Sequence, residues 1–184
     1  MKIEISDDHI YTVDCKPYVS VTQVLQATGF IDARWFTEYG RERGSLVHQI
    51  VHWYILGELD ESSVDPALQG YLDAWKLFVK DTGYHSKQVE VPMFHESLKF
   101  CGTPDDVGDL TIDDVCLDRK TGSISSWVGL QLAAYEILIG RPIKRFALQL
   151  KENGKYALKQ FKDRTDRSIF LSALACVQWQ LNNL

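Results

Sequence analysis

The sequence predicts a mixed α/β fold of the α+β kind, with a central mixed sheet that holds an antiparallel meander and is flanked by helices, in one domain over residues 1–184. Three observations lead there. Apolar spacing is helical through the first half of the chain, turns to strand-like alternation near residue 87 and becomes helical again near residue 127. A length of 184 residues with 45% hydrophobic content suits one sizeable core. At this size about 70% of the unfolded surface is buried, so no disulfide or metal staple is needed. No internal repeat or linker interrupts the pattern.

The elements follow in order. His9–Val13 and Tyr18-Val19 form a hairpin around Asp14-Cys15-Lys16-Pro17. Ser20 with Gln23 is a capping box opening a short helix that ends near Gly29. Asp32 can cap the next helical stretch, and from Gly44 to Leu56 the residues Leu46, Val47, Ile50, Val51 and Tyr54 keep helical spacing. Asp65-Pro66 is an N-cap followed by proline at the first helical position. The helix it opens runs through about Asp81, with Tyr71, Leu72, Trp75, Phe78 and Val79 as its apolar face. Residues 87–94, 99–110 and 115–120 then read as the three strands of the meander. A helix from about Trp127 to Ile139 stops at Gly140. Ile143–Leu150 and Tyr156–Phe161 are strands joined by an Asn153-Gly154 turn, and Asp163 caps a final amphipathic helix.

Composition excludes several classes. Charged residues at 24% and aromatics at 11% rule out a disordered chain. No apolar run reaches membrane-spanning length, and the opening MKIEISDDHI lacks the apolar stretch of a secretory signal. A soluble cytoplasmic protein is expected. Cys15, Cys101, Cys116 and Cys176 form no CxxC pair, so a zinc ribbon is not expected and buried free thiols are. The net charge of -5 hides a split: residues 119–167 carry eleven Lys/Arg against four Asp/Glu, the remainder nine against twenty-one. This is either ordinary surface charge or a basic face for phosphates beside a carboxylate cluster.

The chemistry concentrates in Gly102–Gly122, GTPDDVGDLTIDDVCLDRKTG. In VCLDRK, alternation puts Cys116, Asp118 and Lys120 on one strand face and Val115, Leu117 and Arg119 on the other. Asp118 can bind a hard divalent cation while Lys120 reaches a water or phosphate oxygen beside it. Asp105 can supply a second carboxylate across the hairpin. D-x-K by itself also describes a surface ion pair, so its context decides. Glu90 lies on the strand before, Gln131 and Tyr135 share one face of the helix after, and Gly44 and His48 are four apart upstream. Asp106, Asp109, Asp113 and Asp114 read as a solvated hairpin. Trp35, Trp53, Trp75, Trp127 and Trp179 read as core or interface residues, and His9, His85 and His95 have no motif around them.

The ordered set Gly44–His48, Glu90, Gly102–Asp105, Asp118–Gly122 and Gln131–Tyr135 resembles the PD-(D/E)XK nuclease superfamily, in its RecB-like, phage-type exonuclease branch. The resemblance implies a restriction-endonuclease-like core in which His48, Asp105, Asp118 and the backbone carbonyl of Arg119 surround Mg²⁺ or Mn²⁺. It implies that Glu90 supports that site or a second metal and that Lys120 orients the attacking water. Gln131 and Tyr135 would line the site and hold the DNA backbone, with Thr121 also toward the substrate. In the basic region, Lys144, Arg145, Lys151, Lys155, Lys159, Lys162, Arg164 and Arg167 cannot all face one way, since strands alternate. Some of them, Lys144 and Arg145 in particular, are expected to touch phosphates. The implied activity is metal-dependent hydrolysis of DNA, more exonuclease than endonuclease, in recombination, repair or phage DNA processing. The implied partners are DNA and a recombination or annealing protein.

Two features depart from the family pattern. Arg119 stands where relatives carry an apolar residue, so it either pairs with an acid or contacts DNA. The clustered cysteines of iron–sulfur members are missing, so no cluster is expected. Two rival readings stay open. One is a catalytically silent nucleic-acid-binding or scaffold protein on the same fold. The other is a zinc-dependent hydrolase using His48 and His52, although Gln49 replaces the glutamate that H-E-x-x-H chemistry uses as a base.

Overall fold

Turn and cap chemistry sets most element boundaries. A computed structural model describes residues 2–6, 10–32, 34 and 37–183. His9 and Trp35 lie outside the described residues. The strands are β1 Ile3–Ile5, β2 Tyr11–Val13, β3 Lys16–Ser20, β4 His85–Val89, β5 Met93–His95, β6 Phe100–Gly102, β7 Asp106–Leu110, β8 Asp113–Lys120, β9 Lys144–Leu150 and β10 Tyr156–Phe161. The helices are α1 Val21–Ala27, α2 Glu38–Leu56, α3 Pro66–Thr82, α4 Val128–Ile139 and α5 Thr165–Asn183. The capping box of α1 is formed: the Gln23 N–H donates to Ser20 Oγ at 3.2 Å and the Ser20 N–H to Gln23 Oε1 at 2.9 Å. Asp65 accepts from the Ala67 N–H at 2.8 Å ahead of Pro66. Asp163 does the same for Thr165 at 2.9 Å. The cap of α2 is Thr37, whose Oγ1 accepts from the Gly40 N–H at 3.0 Å, and not Asp32. The helix accordingly begins ahead of the predicted Gly44.

The fold is mixed α/β, with two mixed sheets flanked by helices. One sheet has the order β1-β2-β3-β6-β5, the other β10-β9-β8-β7-β4. The expected three-strand meander is divided between them. Its first strand breaks at Glu90, which takes a left-handed conformation (φ 51°) shortly before Pro92. Its second breaks across Thr103–Asp105, where Pro104 has no N–H for a ladder. Thus β4, β7 and β8 keep antiparallel pairing in one sheet. The intervening β5 and β6 leave it for the other, in which β6 runs parallel to β3. Gly102 ends β6 where two helices press close: a Cβ there would lie 2.9 Å from Tyr135 Cε1 and 3.0 Å from Val21 Cγ2. Helix α4 then crosses over to β9, which pairs parallel with β8.

The alternation along β8 divides the core as expected. Cys116 and Ala147 join the cluster packed by α1, α4 and α5, while Val115, Leu117, Leu148 and Leu150 join Trp75 and Phe78 of α3. Cys101 and Cys116 are buried free thiols, whereas Cys15 and Cys176 are exposed. Of the five tryptophans, Trp75 is buried and Trp53 and Trp179 are exposed. Asp106 corrects the reading of a solvated hairpin. It is 0% exposed on the α3 side of the sheet and accepts from the Tyr84 hydroxyl at 2.8 Å and the Ser86 hydroxyl at 2.6 Å. No described helix is long and apolar enough to cross a membrane.

Candidate active site

Strand β8 delivers its C-terminal half to the site. Asp118 is 1% exposed, and Lys120 Nζ stands 3.0 Å from its Oδ1 and 2.8 Å from its Oδ2, with hydrogen-bond geometry only to Oδ1. Helix α4 closes the other side of the ammonium. Gln131 Oε1 accepts from Lys120 at 3.4 Å, the Trp127 ring centroid lies 5.3 Å from Nζ, and Gln131 Nε2 donates to Tyr135 Oη at 3.0 Å. Thr121 follows at the strand end, beside α2: a Cβ on Gly44 would meet its Oγ1 at 3.8 Å.

Arg119 gathers the remaining candidates. Its N–H donates to Asp105 Oδ2 at 2.6 Å, and its carbonyl lies 3.0 Å from His48 Nε2. Its guanidinium Nη2 donates to Glu90 Oε1 at 2.9 Å and to the Asp105 carbonyl at 3.3 Å. The side chain is buried over the Trp75 ring, so of the two roles left open for it, pairing with an acid is the one the structure holds. Glu90 owes its place to the left-handed break between β4 and β5, where its N–H donates to the Asp105 carbonyl at 3.1 Å. His48, one helical turn on from Gly44, has Nδ1 at 3.7 Å from Asp105 Oδ1 and 3.9 Å from Glu90 Oε1.

The charges are arranged unequally. Burial raises the pKa of Asp105, but His48, Arg119 and Lys120, with the Arg119 N–H, outweigh it and hold the carboxyl below its usual range. Asp118 is pushed up to about 6, by burial and by the nearby Asp105, against the pull of Lys120. Burial opposes the Lys120 charge, yet Asp118 and Asp105 keep its pKa above the ordinary lysine value. Burial lowers His48, which favours the neutral imidazole that a metal ligand must be.

These residues fit a hard divalent cation. Asp118 Oδ2 is buried and, apart from the Lys120 ammonium 2.8 Å away, has no polar partner. His48 Nε2 donates to the Arg119 carbonyl at 3.0 Å, and a cation held by both would replace that proton. Carboxylate and carbonyl oxygens suit Mg²⁺ or Mn²⁺, and an imidazole widens the choice to softer ions. As the side chains stand, no three His, Cys, Asp or Glu groups among the described residues are placed so that they could hold a metal ion together. An ion that keeps several waters needs only a few protein ligands.

His48, Glu90, Asp105, Asp118, Lys120, Thr121, Gln131 and Tyr135 thus come together around the end of β8. Lys144 and Arg145 do not. Lys144 pairs in register with Val115, roughly 16 Å down β8 from Lys120 at about 3.3 Å per residue, and is bound to Asp113. Arg145 is buried and committed to the Gly129 carbonyl at 3.2 Å, the Asp163 carbonyl at 2.6 Å and Asp166 at 3.1 Å. It faces the core because it shares a row with Cys116 and Phe161. His52, which the sequence offered only in the zinc reading, puts Nδ1 3.3 Å from Glu90 Oε2. Sequence reasoning missed one further residue beside the site. Tyr11, whose hydroxyl is 2.8 Å from Thr103 Oγ1, lines a cavity of about 630 Å³ beside His48, Glu90 and Asp105, and no motif marks it.

No family model and no curated protein matches the sequence. Solved structures do match the fold. A candidate exonuclease from Eubacterium rectale superposes with a TM-score of 0.58 at 14% identity, over 89% of this chain and 79% of that one. LHK-Exo from Laribacter hongkongensis, in complex with dAMP, gives 0.51 at 13% identity, over 90% and 88%. At these identities the likeness establishes the fold.

Proposed function

We propose that the chain is a divalent-cation-dependent deoxyribonuclease of the RecB-like PD-(D/E)XK branch, acting as an exonuclease on DNA ends in recombination, repair or phage DNA processing. The observation that carries the reading is the convergence of Asp105, Asp118 and Lys120 at the end of β8, with His48 and the Arg119 carbonyl beside Asp105. The exonuclease fold neighbours agree with it.

His48, Asp105, Asp118 and the Arg119 carbonyl would hold Mg²⁺ or Mn²⁺, with Glu90 supporting them. The bound cation would supply Lewis-acid stabilisation of phosphate charge and a water of lowered pKa. Lys120 faces the same phosphate, where its ammonium offsets the charge that develops as a P–O bond breaks. Gln131 and Trp127 hold that ammonium in place, and Tyr135 holds Gln131. Glu90 and Arg119 keep Asp105 and the carbonyl aligned.

Digestion of linear and circular DNA with Mg²⁺, Mn²⁺, Zn²⁺ or EDTA tests the reading. Loss of linear DNA with Mg²⁺ or Mn²⁺, and protection by EDTA, is the expected result. Activity restored by Zn²⁺ alone would favour the hydrolase built on His48 and His52. Binding of DNA without cleavage under any metal would leave a silent binding protein on this fold.

A further inference from the structure

We propose that β10 and the first turn of α5 form a second contact surface for the phosphodiester backbone of duplex DNA, carrying the substrate away from the scissile phosphate. The proposal rests on the nuclease reading for its ligand.

Many cations of this protein are neutralised by acids. Lys76 is bound to Glu61, Lys87 to Asp109, Arg141 to Asp114, Lys144 to Asp113 and Lys120 to Asp118. Other cations, among them Lys16, Lys80 and Lys151, also lack an acidic partner within ion-pair reach among the described residues, but at the end of the sheet such cations share a cavity wall. Lys155, Lys159, Lys162, Arg164 and Arg167 are exposed, and none has an acidic partner within ion-pair reach among the described residues. Lys162, Arg164 and Arg167 line a cavity of about 530 Å³ at the start of α5. Of the acids around that cavity, Glu136 and Asp166 are both taken by the buried Arg145, at 3.6 and 3.1 Å, and the exposed Asp163 caps α5 at the Thr165 N–H. Five of the residues in its wall are basic and one is acidic, so it is positive on a chain whose net charge is -5. With Lys144 matched by Asp113, the uncompensated charge belongs to Lys162, Arg164 and Arg167.

Strand β10 and the candidate active site share one row of the sheet. Asp118 pairs in register with Ala147 and Ala147 with Lys159, so these three lie on one sheet face, with Ala147 buried between the two ends. Two strand spacings place Lys159 about 10 Å from Asp118. The other link runs through α4. Trp127 carries the Lys120 ammonium, and two residues on, a Cβ at Gly129 would touch Asp166 and Phe161 at 2.8 Å. β10 is the outer strand of its sheet, so these cations face an open edge. Long exposed cations around a shallow basin suit a repeating polyanion rather than a buried base. Duplex DNA offers one charge per roughly 1.7 Å of its axis.

The test is equilibrium binding of a fluorescently labelled duplex of about 20 base pairs, in EDTA to prevent cleavage, over roughly 50–200 mM KCl. The R164Q/R167Q double variant is compared with K16Q/K80Q, which removes the same charge from exposed positions elsewhere. Both pairs are exposed, and unchanged circular dichroism checks their folding. The basin variant should lower the log–log salt slope by about 2 and the affinity on the order of tenfold, at about 0.9 per lost phosphate contact. The control should change the slope by less than about half a contact. Parental slope and affinity in R164Q/R167Q, or an equal loss in the control, overturns the proposal. Digestion by the parent protein with Mn²⁺ keeps the two readings apart. Cleavage with an unchanged basin slope removes the surface and leaves the nuclease. No cleavage with a lowered slope removes the nuclease and leaves a DNA-binding surface.

Discussion

Asp105 and Asp106 are neighbours in sequence, yet the two faces of the sheet treat them in opposite ways. Asp105 looks toward His48, Lys120 and the Arg119 N–H, and its pKa is held below the usual range despite burial. Asp106 looks toward α3, receives only the neutral hydroxyls of Tyr84 and Ser86, and is pushed up to about 6. Burial and Arg119 act on both, but His48 and Lys120 add their charge at Asp105 only. Between these two neighbours the amount of positive charge facing the carboxyl sets the direction of the shift. Asp118 is pushed up to about 6 even beside Lys120, because its burial and Asp105 outweigh that ammonium.

The largest effect should come from the ligand side of this pair. Asp105→Asn or Asp118→Asn removes a charged donor and should cut DNA cleavage by about a thousandfold or more, with Mg²⁺ or Mn²⁺ binding lost in parallel. The fold should survive, since asparagine is nearly isosteric, and circular dichroism of Asp118→Asn checks that the Lys120 ammonium left without its partner does not unfold it. Cleavage assays and calorimetric metal titration of the variants check this, and parental activity in either would take that carboxylate out of the site. Lys120→Ala should separate charge stabilisation from metal binding. Single-turnover cleavage should fall roughly a hundredfold while metal affinity holds. Near-normal cleavage would leave Lys120 as an ion-pair partner of Asp118.

Arg119→Met tests whether Asp105 depends on its surroundings. The variant keeps the backbone N–H and carbonyl but loses the guanidinium that ties Glu90 to the Asp105 carbonyl. Changes to groups that orient ligands typically cost tenfold to hundredfold in metal affinity, so a loss in that range is expected. Arg119→Lys should restore little of it, because an ammonium cannot reproduce the planar fork. Unchanged metal affinity in Arg119→Met would show that Glu90 and Asp105 hold their places unaided.

How legible this was in the sequence differs between residues for physical reasons. The run VCLDRK gave its faces away because strand alternation has a strict period of two, and Asp118 and Lys120 lie where that period puts them. Asp65-Pro66 and Ser20 with Gln23 were readable because caps are local. The break of one predicted strand at Glu90 was not, since three-residue strands such as β5 and β6 are too short to show a period. Asp106 and Arg145 were misread for one shared reason. Each is a charged residue made acceptable in the core by partners distant in sequence: Tyr84 and Ser86 for Asp106, Asp166 and two carbonyls for Arg145. Composition cannot reveal such partners. Within the basic region read as a source of phosphate contacts, partners of this kind remove Lys144 and Arg145 and leave Lys162, Arg164 and Arg167 without an acidic partner within ion-pair reach among the described residues.

The smallest effect concerns Asp106, and it sharpens the comparison from the other side. Asp106→Asn should leave cleavage near parental and change how stability depends on pH. The folded-state pKa of about 6 lies above the unfolded aspartate value of roughly 4, so between these values the folded protein binds more protons than the unfolded one. The parent therefore loses stability as pH rises through about 4 to 6 and stays lower above it. Two pKa units correspond to on the order of 3 kcal/mol. The asparagine can keep the Tyr84 and Ser86 bonds through its oxygen, but its amide takes the place of Oδ2, which has no partner, at a cost of about 1–2 kcal/mol. The net expectation is a variant roughly 1–2 kcal/mol more stable than the parent near pH 7.5, with the advantage gone or reversed below about pH 4. Asp118, also near 6, titrates in both proteins and cancels in the difference. Urea unfolding of parent and variant across that pH range measures it. A difference that does not vary with pH would mean that Asp106 is charged in the folded protein throughout, and that the hydroxyls of Tyr84 and Ser86 suffice to hold it so.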